Sequence, residues 1–441
     1  MVKKFILSLA LVLLVVAAVA AGATYMFRGS YESLQLLQSQ TAAQEEAEQE
    51  TLQLPAVINT PVPEEENTGF GAEDEEFASD TPTTTVQPED FANTLRAKAI
   101  VEGMSLEEKI CQMLFITPEA LTGYNRVTQS GSVTRSALQR YHVGGVIYFS
   151  TNLVTMSQTA DMLQTIQQYA MEDIGIGLFL GVDEEGGSVA RVGPALGTTT
   201  FEDMSYYGQL GDTGEVYGMG KTMAEDLTSL GFNLNFAPVA DVVSNENTVV
   251  KDRSFGSDPD LVSEMVRQEV KGMMDYGLLC APKHFPGHGS TGEDTHDGFA
   301  ASDRTLEELH ECDLKPFQAA IDAGAPMIMV GHMTMTAIDP DHPASMSNMV
   351  VTGILRDQLG YDGIVITDAL NMSAIINEYT YSDAAIAAIK AGCDMLLCVS
   401  NVSSVVTAVA DAVEAGEIAE ETINNSVTRI ISQKLKYGLA S

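Results

Sequence analysis

Basic side chains are scarce in this chain of 441 residues: 23 lysines and arginines stand against 61 aspartates and glutamates, a formal charge of -38 at neutral pH. Such a balance repels polyanions and removes the electrostatic term that dominates binding to nucleic acid, so nucleic acid is not an expected partner. Cysteine is also sparse. The five present, Cys111, Cys280, Cys312, Cys393 and Cys398, are an odd number scattered through apolar stretches without a CxxC pair. Neither a disulfide framework nor a thiolate zinc site is indicated, and buried free thiols are expected. No glycine-rich phosphate-binding motif follows the first predicted strand, which weakens a nucleotide-binding open sheet. With 45% hydrophobic and 19% charged residues the chain can nonetheless bury a large core.

One long apolar run is present, from Phe5 to Phe27 behind Lys3 and Lys4. Its length matches a hydrocarbon core, and the flanking lysines predict a cytoplasmic N-terminus with an exported body. Residues 1–27 are therefore read as a signal-anchor or transmembrane segment; cleavage near Ala21 or Ala23, giving a secreted body, is the alternative. No cysteine follows closely, so a lipid-attached N-terminus has no acceptor. Between Arg28 and Asp90 the chain carries 15 acidic residues, one basic residue and five prolines. Such a segment cannot collapse, and residues 28–92 are expected to form a disordered acidic linker that spaces residues 93–441 from the membrane.

The rest of the chain alternates strand and helix. Short β-rich runs occur at 113–116, 145–149, 178–182, 234–239, 278–282, 327–330, 364–367 and 395–399. Helical stretches such as 205–230, 258–276, 305–323 and 381–391 separate them, several ending on a glycine. Eight such units predict an α/β fold, a single (β/α)8 TIM-like barrel, with a doubly wound sheet as the other arrangement. Alternation of Met327, Met329, Met333 and Met335 through an apolar strand points to core packing rather than copper binding.

Active-site groups of a barrel project from the carboxyl ends of its strands, and the polar residues of this sequence fall there. Asp183, Glu184, Glu185 and Arg191 follow the third strand, Asp241 and Arg253 the fourth. The fifth runs into Lys283-His284-Phe285-Pro286-Gly287-His288-Gly289 and then Asp294-Thr295-His296; the sixth ends at His332 and the seventh at Asp368. Acetal cleavage needs an anion to meet an oxocarbenium-like centre and a proton donor for the leaving oxygen. Asp368 suits the first task. His296 suits the second, with Asp294 two residues earlier to hold its tautomer, although the same pair also fits a capped turn and a loop histidine. Lys283, Arg191 and Arg253 can donate to sugar hydroxyls while Asp183 accepts, or form ordinary salt bridges. A zinc site from His284, His288, His296 and His332 is disfavoured, because Pro286-Gly287 denies the first two a helical spacing. No cofactor or metal is expected.

The string Lys283 to Gly289 followed by Asp294-Thr295-His296 resembles the signature of the β-N-acetylglucosaminidase (β-N-acetylhexosaminidase) branch of glycoside hydrolase family 3, the kind that trims peptidoglycan fragments. Blocks at 182–187, 235–239, 253–259 and 367–372 are similar to further family motifs in the same order. The resemblance implies that Asp368 is the nucleophile of a retaining double displacement and His296 the acid/base, assisted by Asp294. It assigns Asp183, Arg191, Arg253, Lys283 and His284 to the sugar pocket. Ser188 and Ser290 depart from the family pattern beside motif positions and bear on aglycone preference or loop motion. No second domain is expected after Ser441, whereas the family's β-glucosidases usually draw an acid/base carboxylate from one; this favours the histidine.

The expected partner is therefore a carbohydrate containing N-acetylglucosamine, such as a muropeptide, met outside the membrane. Two other functions remain open at the level of sequence. One is a phosphorylase, since a histidine acid/base leaves the pocket less anionic than a glutamate would. The other is a catalytically silent carbohydrate-binding protein.

Overall fold

A computed structural model of the chain describes residues 88–292 and 299–440. The apolar run of residues 5–27, the linker up to residue 87, and Asp294 and His296 lie outside the described residues. Among the described residues no helix is long and apolar enough to cross a membrane. The first helix, α1 (Pro88–Glu102), takes in the last five residues of the expected linker. Proline at the first position and Glu89 and Asp90 in the first turn suit the positive end of a helix, so the helical body begins at 88 rather than 93.

All eight expected strands form: β1 (Leu114–Ile116), β2 (Gly145–Ile147), β3 (Phe179–Val182), β4 (Leu234–Asn235), β5 (Leu279–Cys280), β6 (Met327–Val330), β7 (Ile364–Thr367) and β8 (Leu396–Leu397). They pair in parallel in the order β8-β1-β2-β3-β4-β5, and β6 pairs with β7 from Met327–Ile364 through Val330–Thr367. Parallel bridges from Phe285 to Val330 and from Met395 to Ile366 join the two sets. Every strand thus neighbours its successor and the last neighbours the first, which is a closed eight-stranded barrel. Strands buried on both faces read as continuous apolar runs, as β6 and β7 do. Gly145 and Gly181 make room inside for aromatic rings: a Cβ there would lie 2.6 Å from Phe115 and 2.7 Å from Phe236.

The major helices after α1 are α2 (Leu106–Gln112), α3 (Ser132–Arg140), α4 (Met156–Asp173), α5 (Thr213–Leu230), α6 (Pro259–Asp275), α7 (Leu314–Asp322), α8 (Tyr381–Ala391), α9 (Val402–Glu414) and α10 (Glu420–Lys436). A π-helical segment, Met349–Gln358, connects β6 to β7. Two expected helices are each split. The stretch 205–230 becomes Met204–Leu210 and α5, because Gly211 closes the first in a left-handed conformation and the Asp212 carboxylate caps the second by accepting from the Gly214 and Glu215 N–H groups. The stretch 305–323 breaks at Cys312 into Leu306–Glu311 and α7. Met327, Met329, Met333 and Met335 are all buried in the core. The cysteines are free thiols; four are buried and Cys312 is half-buried.

Candidate active site

A pocket of about 260 Å³ opens at the carboxyl ends of the strands, where Asp183, Arg191, Arg253, Lys283, His284 and Asp368 all line it. Asp183 directly follows β3 and Asp368 directly follows β7. The six expected site residues that fall within the described structure thus converge. The remaining two, Asp294 and His296, lie outside the described residues. Their described flanks are tied to this rim: the Ser290 hydroxyl donates to Ser302 Oγ (2.7 Å), and Ala301–Ser302 pairs in parallel with Thr334–Met335 beyond β6.

Local sequence explains how the β3 side is presented. After Asp183 the chain turns through Gly186 and Gly187 into a hairpin, Glu184–Gly186 against Val189–Ala190. Gly187 has φ 51° and sits so close to Asp203 that a Cβ would collide with its carboxylate. The buried Glu184 carboxylate then accepts from the N–H groups of Arg191, Val192 and Gly193 at 2.6–2.9 Å, fixing the backbone that carries Arg191. Arg191 Nε is buried with no partner among the described residues, a donor free for a ligand in the pocket it lines.

The charged groups form one connected chain. Lys283 Nζ bridges Asp183 (2.7 Å) and Glu185 (2.6 Å). Glu185 also accepts two hydrogen bonds from the Arg253 guanidinium, both at 2.8 Å. Burial alone would raise the Glu185 carboxyl, but Lys283 and Arg253 outweigh it and hold the pKa at about 2. Burial would likewise lower the Lys283 ammonium, yet Asp183 and Glu185 keep it above its ordinary value.

From Arg253 the chain runs on to His284. The wholly buried Asp241 faces His284 Nδ1 at 2.8 Å, and its other oxygen accepts from the backbone N–H of His284 and His288. Burial would raise its pKa, but His284 and His288 and these bonds keep Asp241 below the usual carboxylate range. A carboxylate at Nδ1 requires that nitrogen to carry the proton. Nε2 then turns its lone pair to Arg253 Nη2, 3.4 Å away, which can only donate.

Asp368 sits apart from these ion pairs. Its N–H donates to Val330 O (2.8 Å), across the β6–β7 pairing, and its Oδ1 accepts from the Ala369 N–H (2.7 Å). Burial would raise the carboxyl, but the Ala369 N–H and the Lys283 ammonium work against it, and Asp368 stays below the ordinary range. The group is therefore an anion at neutral pH, as a nucleophile or cation stabiliser must be. Glu185 and Asp241 were not among the residues assigned to the site from sequence, although both shape it. Period-two alternation from Asp183 signals Glu185, and a lone aspartate closing the apolar run 236–240 signals Asp241.

A closed parallel barrel with a buried charge network and an anionic carboxylate on its C-terminal rim is an enzyme scaffold. The chain belongs to glycosyl hydrolase family 3: the family's N-terminal domain matches residues 105–433. It is 33% identical over 329 residues to beta-hexosaminidase A of Pseudoalteromonas piscicida, covering 69% of this chain and 55% of that protein. Against the beta-hexosaminidase of Tolumonas auensis it is 36% identical over 268 residues, 60% of this chain and 78% of the relative. Among solved structures, a glycoside hydrolase family 3 beta-N-acetylglucosaminidase from Paenibacillus sp. superposes with a TM-score of 0.71 at 34% identity, covering 76% of this chain and 63% of that one. The chain thus spans about half the length of the first of these relatives.

Proposed function

We propose that this protein is a retaining exo-β-N-acetylglucosaminidase that removes N-acetylglucosamine from the non-reducing ends of peptidoglycan-derived glycans. The observation that carries the reading is the convergence in one pocket of an anionic Asp368 with donors and acceptors matched to sugar hydroxyls. In this reading Asp368 attacks the anomeric carbon and forms a covalent glycosyl-enzyme. His296, oriented by Asp294, protonates the departing oxygen and then deprotonates the incoming water. Asp183 accepts from a pair of hydroxyls. Lys283, Arg253, His284 and Arg191 donate to or orient the non-reducing sugar. The beta-hexosaminidase and beta-N-acetylglucosaminidase relatives support the sugar class.

Residues 1–27 act in this proposal as the membrane anchor and the acidic segment as a spacer, which places the domain outside the cytoplasmic membrane on the side where wall fragments occur. Fusion of a topology reporter after residue 27 tests that placement; activity of the reporter only inside the cell contradicts it.

An aryl β-N-acetylglucosaminide tests the chemistry. The expected outcome is free N-acetylglucosamine, released first as the β-anomer, with turnover abolished in Asp368→Ala and His296→Ala least impaired on this activated leaving group. Sugar 1-phosphate formed in phosphate buffer identifies a phosphorylase instead. Binding without turnover identifies a silent carbohydrate-binding protein, and wild-type rates in Asp368→Ala overturn the assignment of the nucleophile.

A further inference from the structure

His332 is a buried histidine that the mechanism above does not use. It lies just past β6, and its ring spans two polar groups: Nδ1 is 2.8 Å from the buried Ser345 Oγ and Nε2 is 3.2 Å from Ala369 O. Ala369 is the residue whose N–H holds Asp368 Oδ1. A carbonyl oxygen only accepts, so Nε2 must carry the proton; Nδ1 then keeps a lone pair and accepts from the Ser345 hydroxyl. Ser345 is itself fixed, its N–H donating to Gly331 O at 3.1 Å.

We infer that His332 is a positioning residue for the nucleophile: a neutral imidazole, locked by Ser345 in the Nε2–H tautomer, pins the Asp368–Ala369 turn so that Asp368 Oδ2 faces the anomeric carbon. The inference rests on Asp368 being the nucleophile. The donor direction matters chemically. With Oδ1 bound to the Ala369 N–H, movement of Ala369 would swing the carboxylate, and the imidazole anchors that residue from its other side, through the carbonyl of the following peptide. Burial depresses the pKa of His332, overcoming the opposite pull of Asp368. Neutrality has a use here. An imidazolium behind the carboxylate would pair with its charge and blunt its attack, whereas a neutral N–H donor to a carbonyl orients without neutralising.

The test combines kinetics with spectroscopy on the full chain. Turnover of an aryl β-N-acetylglucosaminide by His332→Ala is expected to fall about 10²-fold in kcat with KM within about threefold, the size of loss that mispositioning produces. His332→Gln, whose amide can donate to Ala369 O and accept from Ser345, is expected to recover kcat to within about tenfold of wild type. Unaltered kcat in His332→Ala, or a loss confined to KM, overturns the inference. Asp368→Ala run alongside separates the two assignments: if it stays active, the nucleophile is wrong, and if it is dead while His332→Ala keeps the wild-type kcat, only the positioning role is wrong. Should the alanine variant fail to fold, ¹⁵N imidazole spectra of the wild-type protein decide. A neutral ring protonated at Nε2 at pH 7 is expected, and an imidazolium or the Nδ1–H tautomer contradicts it.

Discussion

The two sides of the pocket are built on different principles. Over β3–β5 Asp183, Lys283, Glu185 and Arg253 hold one another in sequence by opposite charge, and Arg253 passes on by hydrogen bonds to His284 and Asp241. Over β6–β7 a single carboxylate is held by a backbone N–H, with a histidine behind it, and takes part in none of the ion pairs among the described residues. The first arrangement ties binding to folding, because taking away one charge strands its buried partners. The second leaves Asp368 anionic with its charge uncommitted to a salt bridge, so its loss should cost rate and little else.

The largest expected effect probes the second side. Asp368→Ala should lower kcat by at least about 10³-fold, as removal of a nucleophile does, with a melting temperature close to wild type. A large drop in melting temperature would erase the contrast.

Glu185→Gln probes the first side. Lys283 and Arg253 then lose a shared anion inside the protein, with an expected loss of about 3 kcal/mol of stability and a raised KM, read by denaturant unfolding and initial rates. Unchanged stability would show that the network is not what holds this half together.

The pH dependence of stability sharpens the comparison further. Glu185 is held at about 2 against an ordinary 4.5, so its stabilisation is complete above about pH 4.5 and disappears as the pH falls towards 2. Glu269, buried on α6 with neither carboxyl oxygen hydrogen-bonded among the described residues, runs the other way. Burial first, and Glu185 second, push it up to about 8. The folded protein keeps it protonated where the unfolded chain ionises it, so it lowers stability progressively from about pH 4.5 to 8. Glu269→Gln should therefore raise the melting temperature more at pH 7.5 than at pH 5; an equal shift at both would contradict the assignment. The smallest effect expected is none: exhaustive chelation should leave hydrolysis unchanged, and a loss restored by added metal would reopen a metal-based reading.

Much of this was legible in the chain. The eight strands appear as short apolar runs because a parallel barrel buries both faces of each, and the rim residues follow them directly. Helix ends were harder. Gly211-Asp212 closes one helix and caps the next, but embedded in an otherwise helical stretch it reads as a tolerated interruption. At the site, Asp183 and Arg253 are visible as motif members, while the hub that joins them, Glu185, is one acid in a run of three. Its role arises only when β3, the β4 loop and the β5 extension meet in space. The same holds for His332, whose two partners lie 13 and 37 residues away.

Incubation with a slow fluorinated glycosyl donor, followed by peptide mapping by mass, measures the central proposal most directly. A sugar ester on the peptide containing Asp368 is the predicted result. A label on any other residue, or a donor consumed at a measurable rate with no covalent adduct at any time, would contradict it.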